Sequence, residues 1–268
     1  NGVQKFINVT GNAAEIVDST TRATNITSGT RFTLSATAST VFSRPEDGAW
    51  NPSNPREFYF VTTDRIDTAT LGLGSQIGRT RLWKLTFHDP TDPALGGSID
   101  LLLTGGIGND ANMWDNLCVT YDGKLMLQED PGNTPHNAKV WSYDPATGTL
   151  TKVLRHDTAR FGDNLGGVTT AATAPFTQDE ESSGVIDVTA IFDGNQAAGE
   201  HVYFVADQAH YSITGALVEG GQLVLVRHTP RVAFSLASAV AAVNENAGPV
   251  TLTINRFGDL AQPATASV

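Results

Sequence analysis

From residue 41 to about residue 226 the chain consists of short apolar runs broken by Gly, Asp, Asn and Pro, and few of them keep a helical period. The runs are Glu57–Thr63, Arg81–Phe87, Ile99–Leu103, Leu117–Tyr121, Lys124–Gln128, Lys139–Tyr143, Thr149–Leu154, His201–Ala206 and Gln222–Arg227. Strand, turn, strand at this spacing is the pattern of an antiparallel meander. Tyr121-Asp122-Gly123-Lys124 supplies the Asp-Gly pair that a tight hairpin turn needs, and Tyr143–Thr149 (YDPATGT) reads as a second hairpin. Asp157–Phe161 is the one place where a helical turn is predicted. With 26 glycines and only 17% charged residues, the chain belongs to the all-β class.

Three stretches follow one another. Residues 1–40 are polar and rich in Thr, Asn and Ala, and read as irregular or edge-strand structure. Residues 41–228 carry a weak internal repeat: RPEDGAWNP…EFYFVTTD from Arg44 to Asp64, DNLCVTYDGKLMLQEDPGN from Asp115 to Asn133, and QDEESSGVIDVTAIF…HVYFVADQAHY from Gln178 to Tyr211. Each unit sets an acidic cluster beside an apolar strand. Four-stranded units of roughly 40–50 residues are what propeller blades need, and about four fit here. The expected architecture is therefore a β-propeller, whole or partial. Residues 229–268 change character again, with alternating strands at Arg231–Leu236 and Val250–Asn255.

Charge narrows the function classes. Seventeen basic residues against 28 acidic ones give a net charge of −11, which does not suit nucleic acid and favours metal cations. No run approaches the roughly eighteen apolar residues of a membrane span. The chain opens at Asn1 without a charged-then-apolar leader, as a processed or trimmed chain would. The single cysteine, Cys118, excludes an intramolecular disulfide and reads as a structural thiol.

Three acidic clusters stand where strands begin or end: Arg44-Pro45-Glu46-Asp47, Gln128-Glu129-Asp130 and Asp179-Glu180-Glu181. Around one propeller axis their carboxylates would repel, and a hard dication with oxygen ligands relieves that. Glu46, Asp47, Glu129, Asp130, Glu180 and Glu181 are accordingly the candidate metal ligands. Asp and Glu without clustered His or Cys argue for Ca2+, Mg2+ or Mn2+ rather than zinc. The plainer alternative is a set of solvated turn carboxylates. Arg44 is the candidate catalytic residue, because a guanidinium forks onto phosphate oxygens; its alternative is a local ion pair with Glu46 or Asp47. His210 beside Asp207 could ligate a metal or shuttle a proton, against a purely structural role. His88, His136, His156 and His228 read as isolated turn histidines. The Gly-rich TGGIGND run at Thr104–Asp110 precedes no helix and reads as a loop rather than a phosphate cradle.

Taken together, RPEDGAWNP, DNLCVTYDGKLMLQEDPGN, DEESSGVID and ADQAHY resemble the C-terminal half of the PhoX-type alkaline phosphatase family, particularly its phytase-like forms, over about residues 41–227. The resemblance implies a six-bladed propeller, export to the periplasm or the extracellular space, hydrolysis of phosphate esters, and calcium and iron (Fe3+) at the channel mouth. It carries metal-ligand roles onto Glu46, Glu129 and Glu180 or Glu181, and a phosphate-binding role onto Arg44. The family's W-G-T-W motif and its iron-bridging cysteine have no counterpart here, and Cys118 stands in a different context. The C-terminal stretch resembles the opening of a Calx-beta module, a β-sandwich truncated here, through Val243, Glu245, Gly248, Arg256, Gly258, Asp259 and Leu260.

Two function classes follow. One is a metal-dependent phosphomonoesterase acting on a phosphate-ester substrate. The other is a calcium-stabilised extracellular structural, adhesion or filament subunit, because a partial propeller and a truncated sandwich expose strand edges that can pair with other chains or with a second copy.

Overall fold

The computed structural model describes residues 4–18, 21, 23–63, 80–106, 110–131, 136–165, 168–177, 180–192, 194–196, 199–208, 221–228, 232–236 and 253–258. The described residues are all-β, with seventeen strands and one short α-helix.

The first sheet has six strands: β1 (Phe6–Val9), β2 (Thr30–Ser35), β3 (Pro45–Trp50), β4 (Glu57–Thr63), β5 (Thr80–Phe87) and β6 (Gly97–Thr104). Their spatial order is β1-β2-β6-β5-β4-β3, so the last four form a continuous antiparallel meander. The sheet curls like half a barrel: its two edge strands, β1 and β3, line one cleft of about 490 Å³ floored by Phe42, Phe58 and Phe60. The N-terminal stretch is thus part of the same sheet as the region that follows it.

The second sheet is a four-stranded antiparallel meander of β7 (Trp114–Val119), β8 (Leu125–Glu129), β9 (Lys139–Asp144) and β10 (Thr149–Arg155). Its two hairpins turn where the sequence predicts. Gly123 (φ 82°) and Gly148 (φ 70°) take the left-handed conformation, and their N–H groups donate to Thr120 and Asp144 carbonyls at 3.0 and 2.8 Å. After β10 come α1 (Thr158–Phe161), capped by the Asp157 carboxylate on the Ala159 N–H, and the short hairpin β11 (Asp163–Leu165) and β12 (Val168–Thr170). Strands β13 (Glu181–Asp187), β14 (His201–Gln208) and β15 (Gln222–His228) form a third sheet in that order. Strands β16 (Val232–Leu236) and β17 (Ile254–Gly258) pair antiparallel. Of the Calx-beta-like motif, only Arg256 and Gly258 lie among the described residues.

The strand period explains the core. On β4 and β5, Tyr59, Val61 and Leu82 face one way and pack with Trp114, Leu117, Leu125, Leu127, Trp141 and Tyr143 of the second sheet. Phe58, Phe60, Trp83, Leu85 and Phe87 face the other way, onto Val9, Ile26, Phe32 and Ile99. Both faces of β4 and β5 are covered. Each fully buried aromatic in these layers contributes about 2–3 kcal/mol of transfer free energy.

The chain divides into two compact units, residues 1–186 with 205–224 and residues 187–204 with 225–268. In the second, Arg227 pairs with Glu200 at 2.8 Å and donates to the Phe192 carbonyl at 3.0 Å, while His201 stacks on Tyr203.

Candidate functional site

The internal repeat is explicit in the hydrogen bonds of the two meanders. Thr63 N–H donates to the Arg44 carbonyl at 3.1 Å, and Asp130 N–H donates to the Met113 carbonyl at 2.9 Å. Pro45 pairs with Thr62 and Trp114 pairs with Glu129, each followed by a β-bulge. Trp83 Nε1 donates to Thr62 Oγ1 at 3.0 Å, and Trp141 Nε1 donates to Glu129 Oε1 at 2.6 Å. Arg44 therefore corresponds to Met113, Thr62 to Glu129, and Thr63 to Asp130. Arg44 and Met113 are also the two described non-glycine residues with positive φ, 40° and 45°. A side chain there is strained, and such strain recurs at functional sites.

The bulges decide where the acids point. Glu46 and Asp47 fall in the bulge of β3, and Asp115 falls in the bulge of β7. An extra residue in a strand re-aims its side chain. As a result Asp115 stands in the field of three other carboxylates, Glu46, Asp130 and Glu181, with the Arg44 guanidinium opposing them. Burial first, and then those three like charges, push the Asp115 carboxyl up to about 6. Each of the three acidic stretches read from the sequence sends one residue to this place.

The candidate residues separate into three groups. Arg44, about half exposed, lies 3.3 Å from Glu46 Oε1, so the local ion pair is formed; Thr63 Oγ1 donates to the same oxygen at 2.6 Å. Glu181 Oε1 accepts from Ser183 Oγ at 2.6 Å. These belong to the Asp115 cluster, with Asp130. Asp47 ties the sheets together instead: its Oδ1 accepts from Gly48 N–H at 2.7 Å and its Oδ2 from Leu117 N–H at 3.1 Å. The next repeat copies this tie, Asn116 Oδ1 accepting from Gly184 N–H at 3.1 Å.

Glu129 and Glu180 are fully buried, away from the exposed end of the bulges. Glu129 accepts from Asn112 N–H (2.8 Å) and Trp141 Nε1, and its Oε2 is 3.6 Å from Lys139 Nζ, itself 2% exposed. Burial pushes its carboxyl up to about 7 against the pull of Lys139. Burial likewise pushes Glu180 up to about 7; its Oε1 accepts from Ala138 N–H at 3.2 Å. Asp179 and His210 lie outside the described residues.

Four contributors were not singled out from sequence. Asp115 stands inside the quoted run DNLCV, and aligning Arg44-Pro45-Glu46 with Met113-Trp114-Asp115 finds it. Glu15, fully buried, accepts from Arg81 Nη1 (2.8 Å), Thr62 Oγ1 (2.9 Å) and Ser43 N–H (2.8 Å). Lys139 is the second buried cation. His156, read as an isolated turn histidine, holds Asp207 through Nε2 at 2.6 Å and faces the Ala138 carbonyl through Nδ1 at 3.2 Å. Two acceptors facing both ring nitrogens favour the imidazolium, and although burial pulls the other way, Asp207 raises its pKa above the ordinary value.

Chemically, the Asp115 cluster offers carboxylate oxygens and one guanidinium, a donor set suited to a hard cation and a phosphate. Among the described residues, no three His, Cys, Asp or Glu side chains are gathered tightly enough to hold a metal by themselves. An ion here would therefore be completed by water or substrate oxygens. The chain's one thiol, Cys118, is half-buried in β7 opposite Met126, beyond the bulge, so the thiolate that the resemblance places between irons has no counterpart at the cluster. No helix among the described residues is long and apolar enough to cross a membrane. Comparison with protein-family models finds none that matches this chain, and comparison with curated proteins finds none similar to it.

Proposed function

We propose that this chain is part of a β-propeller phosphomonoesterase, exported from the cell, whose channel mouth binds calcium at the Asp115 cluster. The observation that carries the reading is the convergence of Glu46, Asp130 and Glu181 on Asp115 from three separate stretches of sequence. Two successive four-stranded meanders with matching bulges, tied through Asp47 to Leu117, support the propeller. The four ordered motifs support the chemistry by resemblance. A calcium ion, when bound, would supply positive charge beside the phosphate and polarise an oxygen nucleophile. The chain's own residues do the rest. Arg44, half exposed and already oriented by Glu46, binds and orients the phosphate oxygens. Burial and the neighbouring carboxylates hold the Asp115 carboxyl above its ordinary range, and a cation here would favour its ionised form.

The test is hydrolysis of p-nitrophenyl phosphate by the full chain with added calcium, and with calcium plus iron. Asp115→Asn and Arg44→Met should each lower kcat/KM at least tenfold with the fold intact by circular dichroism. Inert wild-type protein under both conditions sinks the phosphatase reading. A second reading, a calcium-stabilised structural subunit, has one observation in its favour: the edge strand β15 exposes Leu223 (71%) and Leu225 (47%). Calcium-dependent multimers in sedimentation velocity, with no hydrolysis, would select it.

A further inference from the structure

We propose that the cleft between β1 and β3 binds the aryl or other planar apolar group of a phosphate monoester whose phosphate is held at Arg44. The inference rests on the phosphatase reading for turnover and adds to it the class of substrate. The cleft has a volume of about 490 Å³, within the roughly 300–1,000 Å³ typical of small-molecule sites. Its floor is aromatic and held in place. Phe42 meets Phe60 edge to face at 5.2 Å, Phe58 stacks beside Phe60 at 6.4 Å, and Phe60 stacks on the fully buried Trp83 at 6.3 Å. Phe6, 40% exposed, stands on the wall that β1 forms. Rings fixed in this way offer a further ring edge-to-face and offset contacts without having to be ordered first.

The repeat shows that this opening is particular to the first meander. With Thr62 matching Glu129, Phe58 matches Leu125 and Phe60 matches Leu127. Both leucines are 0% exposed, packed under Tyr59, Val61 and Leu82 of the first sheet, whereas Phe58 and Phe60 stay partly exposed on the cleft. The open apolar face thus belongs to the repeat that carries Arg44 in place of Met113. Glu46 joins the two places: it lines the cleft, and its Oε1 lies 3.3 Å from Arg44 Nη2. A phosphate on that guanidinium leaves its ester group beside the Glu46 end of the cleft.

The lining selects the occupant. Among the described lining residues, Lys5, Glu46 and Asp47 carry charge and the floor carries none, so the group that lies on it is uncharged and apolar. A strand of another chain fits the walls less well. An added strand draws its affinity from unbonded edge groups of the backbone. Here the Ile7 carbonyl already accepts from Thr40 N–H at 2.9 Å, and Gly48 N–H already donates to Asp47 Oδ1 at 2.7 Å. One such group is engaged on each wall, which leaves side-chain packing as the main attraction the cleft offers.

The experiment is calorimetry of the full chain in calcium with 1-naphthylmethylphosphonate, which cannot be hydrolysed, and with methylphosphonate, alongside hydrolysis of 1-naphthyl phosphate and glycerol 2-phosphate. The naphthyl phosphonate should bind at least tenfold tighter than methylphosphonate. Ser39→Trp, which sets a large ring on the exposed rim of the cleft, should abolish that preference and lower the ratio of kcat/KM for naphthyl phosphate over glycerol phosphate at least tenfold. Phe6→Ala should reduce the preference severalfold, and Arg44→Met should weaken both phosphonates alike. Preferential binding without hydrolysis refutes the phosphatase reading and leaves the cleft with its occupant. Equal affinity for the two phosphonates, or a specificity ratio that Ser39→Trp leaves unchanged, overturns the proposal whether or not the chain is a phosphatase. A concentration-dependent dimer that Ser39→Trp dissociates, with no preference for the naphthyl compound, assigns the cleft to a second copy and overturns it as well.

Discussion

Replacing Glu15 by Met removes a carboxylate that three groups share, and the structure says how much each matters. Arg81, 2% exposed, would lose its carboxylate partner at 2.8 Å, and Ser43 N–H and Thr62 Oγ1 would each lose an acceptor. Breaking a buried ion pair costs about 3–5 kcal/mol, chiefly through the stranded charge, and an orphaned amide adds about 1–2 kcal/mol. With a urea dependence of roughly 3 kcal/mol per molar, a loss of about 5 kcal/mol moves the unfolding midpoint down by about 1.7 M. Arg81→Met alone strands Glu15 in the same way. The double variant removes both charges and should recover most of the loss, leaving about 1–2 kcal/mol for the Ser43 amide. The assay is urea unfolding of the four proteins followed by tryptophan fluorescence, since Trp83 sits on Thr62 and reports this region. A coupling energy of about 3 kcal/mol or more is expected. Additive losses, with no recovery in the double variant, would falsify the claim that this pair ties the N-terminal stretch to the first meander.

Three further outcomes follow from the same reasoning. Asp115, Glu129 and Glu180 all have folded pKa values above their ordinary ones, so each contributes stability that is complete below the ordinary carboxylate range and lost as pH rises through about 6 to 7; the calcium-free chain should weaken in urea between pH 5 and pH 8, and saturating calcium should flatten the part of that slope due to Asp115. His156 is also raised, so its pairing with Asp207 stabilises below the ordinary histidine value near 6.5 and fades as pH rises through the folded one; Asp207→Asn should lower stability at pH 6 and have less effect at pH 9, and a pH-independent loss would contradict the imidazolium. A Cβ on Gly97 would run into the Thr86 carbonyl oxygen on the neighbouring strand, where no rotamer can yield; Gly97→Ala should cost about 1–3 kcal/mol or more in thermal unfolding, and a neutral result would show that β5 and β6 shift apart freely.

Most strands were legible because the chain alternates where one face is buried and runs apolar where both are. Glu57–Thr63 matches β4 at both ends, and α1 lies within the predicted Asp157–Phe161 turn. Strand β3 was not legible, because Pro45-Glu46-Asp47 has the composition of a turn. It becomes a strand only through β4, by a ladder that tolerates the proline and absorbs the extra residue in a bulge. Strands β1 and β2 were indistinct for a related reason: β1 pairs only with β2 among the described strands, and β2 reaches across the first meander to β6, about seventy residues away. Glu129 carried a signal that went unused. Leu125, Leu127 and Glu129 share one strand face by alternation, so the acid points into the same core as its leucines, and a buried acid needs a cation such as Lys139. Asp115 was obscured differently, since its environment is set by burial and by three acids that the fold, not the local sequence, brings near it.

The two meanders show which positions the fold holds constant and which it leaves open. Each has a cation at the start of its third strand, Arg81 in one and Lys139 in the other, and both are buried. Each cation needs an acid, and the acid arrives by different routes. In the second meander the neighbouring strand supplies it as Glu129; in the first, that position is Thr62, and Glu15 comes in from the N-terminal stretch. The buried end of the bulge is therefore settled by charge neutrality, whichever residue provides it. At the other end of the bulge the corresponding positions diverge: half-exposed Arg44 against buried Met113, and buried Thr63 against Asp130. Divergence there places a guanidinium in one repeat and an additional carboxylate in the next, around Asp115. Two copies of the second repeat would offer carboxylates alone. This asymmetry puts a guanidinium beside carboxylates, the arrangement on which the proposed phosphate-ester chemistry rests.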